Sequence, residues 1–223
     1  MILQSAQVSV GLQLLTTMID IWGLQLGVDP KHMILQQLLR LEIVVQVVEL
    51  LFYVWLIKRF NHIQDITPFR YLDWIITTPT MLLQLMAFMS YDKYPSLQHF
   101  IREHKTDISR VIALNWTMMI LGLLGEMKCI DRSFANVTGF VPFVSYFYMI
   151  YDKFVPKHRS TTVDKVKQGL FWYYAFFWSL YGVASFMPYV QKNTFYNILD
   201  VFAKNFYGLF LVVYLLYLQK QSV

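Results

Sequence analysis

Crossing the roughly 30 Å hydrocarbon core of a bilayer takes about 20 helical residues at about 1.5 Å each, and this chain offers seven stretches of that kind. They lie near Ser5–Leu26, Met33–Ile57, Pro68–Met89, Ile108–Lys128, Phe134–Phe154, Gly169–Pro188 and Phe195–Leu218. Inside lipid the backbone has no water to bond, so each stretch must close its own hydrogen bonds as a helix. The expected fold class is an all-α membrane protein, a seven-transmembrane-helix bundle forming one domain over residues 1–223 and integral to the membrane as a multi-pass chain. The first, third, fourth and last stretches are the clearest. The second and fifth contain polar residues that lower a window average. Connections are short, and only Ser90–Asp107 and Val155–Lys167 are long enough to hold structure outside the bilayer.

Composition excludes the usual soluble classes. Charged residues make up 15% of the chain, against about a quarter in a soluble domain. A single cysteine, Cys129, excludes an intramolecular disulfide and a four-cysteine zinc site, and no metal centre is expected. The first apolar stretch lacks a basic leader and a small-residue cleavage site, so it reads as a span and not as a cleaved signal. The net charge of +5 sits in short runs between apolar stretches, which points to a lipid bilayer as partner and away from nucleic acid. With the N-terminus outside, twelve lysines and arginines fall on the cytoplasmic side and five on the other. That imbalance favours an outside N-terminus and a cytoplasmic C-terminus.

Arg70 and Lys204 fall within the spans, with several acids. A charge at bilayer depth costs at least a few kcal/mol, so each needs a partner or a function. Asp200 and Lys204 stand i, i+4 on one face of the last helix; Arg70, Asp73 and Thr77 share a face of the third. On the second, Glu42, Gln46 and Glu49 form another polar stripe. Spacing alone leaves open that these are structural ion pairs closing a bundle.

The neighbouring residues go further. RYLDWIITTPTMLLQL, Arg70 to Leu85, and LDVFAKNFYG, Leu199 to Gly208, resemble the third and seventh helices of microbial rhodopsins. WSLYGV (Trp178–Val183), MMILGLLG (Met118–Gly125) and FYMIYD (Phe147–Asp152) extend the resemblance to the sixth, fourth and fifth helices. It implies a microbial-rhodopsin bundle carrying all-trans retinal as a Schiff base on Lys204. It also implies Asp73 as primary counterion and proton acceptor, Asp200 as second counterion, Arg70 balancing both, and Tyr53 and Tyr181 bonding Asp200. Trp74 and Trp178 match the tryptophans that sandwich the polyene. Thr78, Met81, Met118, Gly122, Pro142, Tyr181, Ser185 and Ala203 fall at pocket positions. Two departures stand out: Gly182 where the family usually has proline, and Ser185 where it often has a second tryptophan.

Within the family the activity divides. The cytoplasmic donor position of proton pumps is Gln84 here, and the stretch Met187–Asn197 contains no acid. Counting from Tyr53, Glu49 falls at a central-gate glutamate of channelrhodopsins, Glu42 at another acidic position, and Asn205 completes their lysine–asparagine pair. A Glu49–Asn205 contact is expected to close a path between the second, third and seventh helices in the dark, with Glu42, Gln46 and Tyr53 along it. Against this, Leu56 and Phe60 replace outer glutamates, and Thr78 and Asn115 stand where channels have a cysteine and an aspartate. The compact chain looks like the short rhodopsins encoded by large viruses of algae. The expectation is a light-gated channel for monovalent cations and protons, not an enzyme. An outward proton pump and a sensory rhodopsin signalling through a partner stay open, as does a homo-oligomer.

Overall fold

The computed structural model describes residues 1–221. Helix α1 (Ile2–Gly23) is followed by α2 (Met33–Arg59), α3 (Thr67–Met89), a short α4 (Leu97–Glu103), α5 (Lys105–Glu126), α6 (Arg132–Phe154) and α7 (Thr162–Ala184). The last span comes in three parts: α8 (Tyr189–Asp200), a π-helical turn over Val201–Asn205, and α9 (Phe206–Gln221). These make seven membrane-length elements, as expected, and α4 is the structure held by the first long connection.

Five elements combine the length and apolarity of a span: Ile2–Gly23, Thr67–Met89, Lys105–Glu126, Arg132–Phe154 and Tyr189–Lys220. The second falls short, as its polar stripe requires. The fifth does not, and it is the sixth, α7, that is too polar. It opens with Asp164, Lys165 and Lys167 and is rich in tyrosine and tryptophan. It also starts earlier than the expected Gly169, because Thr161 and Asp164 form a reciprocal capping box that lets it begin before the apolar run.

The helices are inside-out relative to a soluble bundle. On α1, Ser9, Gln13, Thr16 and Asp20 are buried while Val8, Leu15 and Met18 are exposed. Exposed Leu51, Leu72, Val141 and Val213 continue the lipid-facing surface on other helices. Pro79 inside α3 has no N–H to give the carbonyl four residues back. That carbonyl, Ile75 O, accepts instead from the indole N–H of Trp116 on α5 at 3.2 Å. The break in one helix thus becomes a tie to its neighbour.

Candidate functional site: a buried lysine, three carboxylates and an aromatic cavity

Lys204 sits inside the π-helical turn, where Phe206 N–H bonds Val201 O five residues back. Such turns displace a residue from the regular helix face and recur at functional sites. Only 2% of Lys204 is exposed. Its Nζ lies 2.5 Å from Asp73 Oδ2, 3.7 Å from Glu49 Oε1 and 3.9 Å from Asp200 Oδ1.

Asp200 is the most firmly held of the three carboxylates. Tyr53 and Tyr181 each donate to one of its oxygens at 2.7 Å, and Arg70 Nη1 stands 3.5 Å away. The guanidinium is also fixed by Asn193, through Nε–H to Oδ1 at 2.9 Å and Nη2–H to the backbone O at 3.1 Å, and by the side-chain oxygen of Asn197. Arg70 was expected to balance both aspartates. Among the described residues its ion pair is with Asp200 alone, and Asp73 answers to Lys204. Two cations face three carboxyls, so the cluster is neutral when one carboxyl keeps its proton. Glu49, with neither oxygen hydrogen-bonded, loses least by doing so.

In front of the lysine lies a cavity of about 120 Å³, walled mostly by apolar and aromatic side chains with a few polar groups, as small-molecule sites are. Trp74, Thr78, Met81, Met118 and Gly122 line it from α3 and α5; Trp178, Tyr181, Ser185, Ala203 and Lys204 line it from α7 and the last span. These are ten of the eleven expected pocket positions, Lys204 included. Pro142 is buried but does not line the cavity, because α6 presents Asn136, Gly139, Phe140, Phe143 and Tyr146, a face that passes it by. Gly182 has a local reason: a Cβ there would come within 2.4 Å of the Phe140 ring. Phe140 therefore fills the space a proline would take. Thr78 and Asn115 are brought together, Asn115 Nδ2 donating to Thr78 Oγ1 at 2.8 Å. An amine at the end of an apolar, aromatic slot, backed by carboxylates, suits a long apolar aldehyde.

The second-helix stripe is entirely buried. No hydrogen bond accompanies the expected Glu49–Asn205 contact, since neither Glu49 oxygen has a hydrogen-bond partner among the described residues. Glu49 leans to Lys204, and Asn205 Nδ2 donates to Thr16 Oγ1 on α1 at 2.7 Å. Gln46 also turns to α1, donating to Asp20 Oδ2 at 2.6 Å and accepting from Thr17 at 2.8 Å. Glu42 accepts from Gln84 Nε2 of α3 at 3.1 Å. The polar file therefore runs between the first, second and seventh helices, with α3 supplying Asp73 and Gln84. The sequence reading passed over Asp20, Gln13, Thr16, Asn193 and Asn197. Asp20, an acid inside an apolar span at i+4 from Thr16 and i+11 from Ser9, was the available signal.

The bacteriorhodopsin-like protein family matches residues 4–218. A green-light absorbing proteorhodopsin from Gamma-proteobacterium EBAC31A08 is 22% identical over 157 residues, covering 64% of this chain and 59% of the relative. The match thus spans less than two thirds of that relative's length. The crystal structure of the viral rhodopsin OLPVRII is 26% identical, covers 96% of each chain and superposes with a TM-score of 0.77. That of the blue light-absorbing proteorhodopsin from Med12 is 16% identical over 98% of each chain, with a TM-score of 0.78, a likeness of fold. By this match over nearly its whole length, the chain belongs to the bacteriorhodopsin-like protein family: it is a microbial rhodopsin, an integral multi-pass membrane protein of a family with a retinal chromophore.

Proposed function

We propose that this rhodopsin is a light-gated channel for monovalent cations and protons, with all-trans retinal attached to Lys204. The retinal, when bound, supplies light absorption and a change of shape. Trp74 and Trp178 would flank the polyene, and Met118, Gly122 and Ser185 would bound its far end. Asp73 Oδ2, 2.5 Å from Lys204 Nζ, is the acceptor for a proton leaving that nitrogen. Asp200, held by two tyrosines and Arg70, keeps its place and charge while Asp73 changes. Moving the proton removes the positive charge that Glu49 faces and frees its side chain to reorient.

The observation that carries the channel reading is the file of buried polar groups between α1, α2 and the last span. Among the described residues, Gln13 with both amide atoms, Asp20 Oδ1, Glu42 Oε1, both Glu49 oxygens and Asn205 Oδ1 have no hydrogen-bond partner. Such groups are costly in a membrane unless water or an ion meets them. A row of carboxyl and amide oxygens offers ligands to a partly hydrated cation.

The test is whole-cell current under illumination in retinal-supplied cells, as a function of voltage and bath cation. A channel gives a current that changes sign near the cation equilibrium potential. An outward current that persists at all voltages would replace this reading with a proton pump. A slow photocycle without current would replace it with a sensor.

A further inference from the structure

Whether the molecule conducts or pumps, a proton that leaves Lys204 has to return before the next cycle. The third helix has no acid on the lysine-rich side of Lys204; it has Gln84, which cannot give and regain a proton. The structure shows what that glutamine does instead. Its amide nitrogen donates to Leu38 O and to Glu42 Oε2, each at 3.1 Å, pinning α3 to α2 and presenting the Glu42 carboxyl. Glu42 and Gln84 are both 0% exposed. Among the described residues no lysine, arginine or histidine nitrogen pairs with Glu42, and its Oε1 has no hydrogen-bond partner. An ionised carboxylate there would be desolvated and unpaired, the costliest arrangement open to it. The neutral acid is the form that fits.

Groups able to pass a proton on stand near Glu42 and near Lys204. Glu42 lies seven residues from Glu49 along α2, about 10 Å at the helical rise, and Glu49 is the α2 side chain that reaches Lys204. Tyr207 stands one turn beyond Lys204, and its ring packs edge-on against Tyr174 with centroids 5.5 Å apart. Both tyrosines are buried, neither hydroxyl has a hydrogen-bond partner among the described residues, and both lie within electrostatic range of Glu42. Gln46 on the same helix and Asp20 on α1 are the other polar neighbours and bring no positive charge, and Lys204 acts on Glu42 from a distance without pairing with it.

We propose that Glu42 is the internal proton donor of this rhodopsin, positioned by Gln84 and relaying through the hydroxyls of Tyr174 and Tyr207. The Glu42 O–H bond breaks, an N–H bond forms at Lys204 Nζ, and the carboxylate recovers its proton from water at the start of α2. That start is nine residues away, about 14 Å. The donor carboxyl has moved from the third helix to the second, and the third helix keeps the amide that aims it.

This rests on Lys204 being the photoactive amine, and the experiment separates the two. In the retinal-free protein, infrared difference between wild type and Glu42→Gln should contain the carbonyl band of a neutral carboxylic acid. With retinal, Glu42→Gln should still form pigment, and the return of the proton to Lys204 should slow by about a hundredfold, the scale of a lost general acid. Azide, a small diffusible proton carrier, should restore the rate in Glu42→Gln, and Gln84→Leu should slow it less. No acid band, or an unchanged return rate, overturns the donor assignment. Absence of pigment in the wild type would instead overturn the reading of Lys204.

Discussion

At the scale of residues, Lys204 is, among the described residues, the one cation within 4.0 Å of Asp73 and Glu49. Replacing it by alanine removes the attachment amine and leaves three buried carboxyls facing Arg70 alone. The Lys204→Ala protein should show no visible absorption after retinal is added. It should also lose about 3–5 kcal/mol of stability, as broken buried pairs do. The checks are an absorption spectrum and a thermal melt; a coloured Lys204→Ala protein, with no amine supplied, would defeat the pigment assignment. Lys204, Asp73 and Asp200 were legible because a charge on an apolar helix stands out against its background, and the i, i+4 spacing of Asp200 and Lys204 survives into contact. Asn193 and Asn197 were not. Asn193 falls in a stretch that reads as a connection, since Lys192 interrupts its apolarity, and Asn197, just inside the expected last span, carries no charge to stand out. Yet Arg70 binds both, so α8 starts at Tyr189 and carries them on the face that continues to Asp200 and Lys204.

At the scale of elements, the contact of α1 with α2 and α9 is what hydropathy conceals. A window average counts how apolar a span is and not where its polar residues point. Ser9, Gln13, Thr16 and Asp20 therefore left α1 looking like a plain anchor while they line its buried face. Position 208 tests the contact. A Cβ on Gly208 would lie 2.0 Å from Asp20 Oδ2 and 2.7 Å from Gln46 Nε2. Gly208→Ala must therefore displace the Asp20 and Gln46 side chains from their hydrogen bond or move α9 away from them. The expected destabilisation is about 1–3 kcal/mol, typical of overpacking. Asp20→Ala in the same chain should recover part of it, because the two changes share one contact. Thermal melts of the two single variants and the double variant measure that coupling; strictly additive effects would mean that α9 accommodates the methyl without touching Asp20.

At the scale of the whole molecule, the direction in which the bundle sits decides what every group inside it can do. Glu42 and Gln84 lie toward the end that carries the α3–α5 and α6–α7 connections, and Arg70, Asn193 and Asn197 toward the end that carries the N-terminus. The loop-charge count puts the first end in the cytoplasm. One structural feature tempers that count, since Lys167 is buried against Asp92 and Lys192 against Glu126, both at 2.6 Å. Removing one lysine from each side leaves eleven against four from the original twelve and five, so the preference stands. Cys129, the single cysteine, is exposed in the α5–α6 connection on the N-terminal side. A membrane-impermeant thiol reagent should label it on intact cells. In a Cys129→Ser, Ser160→Cys variant the thiol moves to the exposed α6–α7 connection, and labelling should require permeabilised cells. The opposite result would place Glu42 on the outer half. A donor there would recover its proton from the outer medium and not from the cytoplasm.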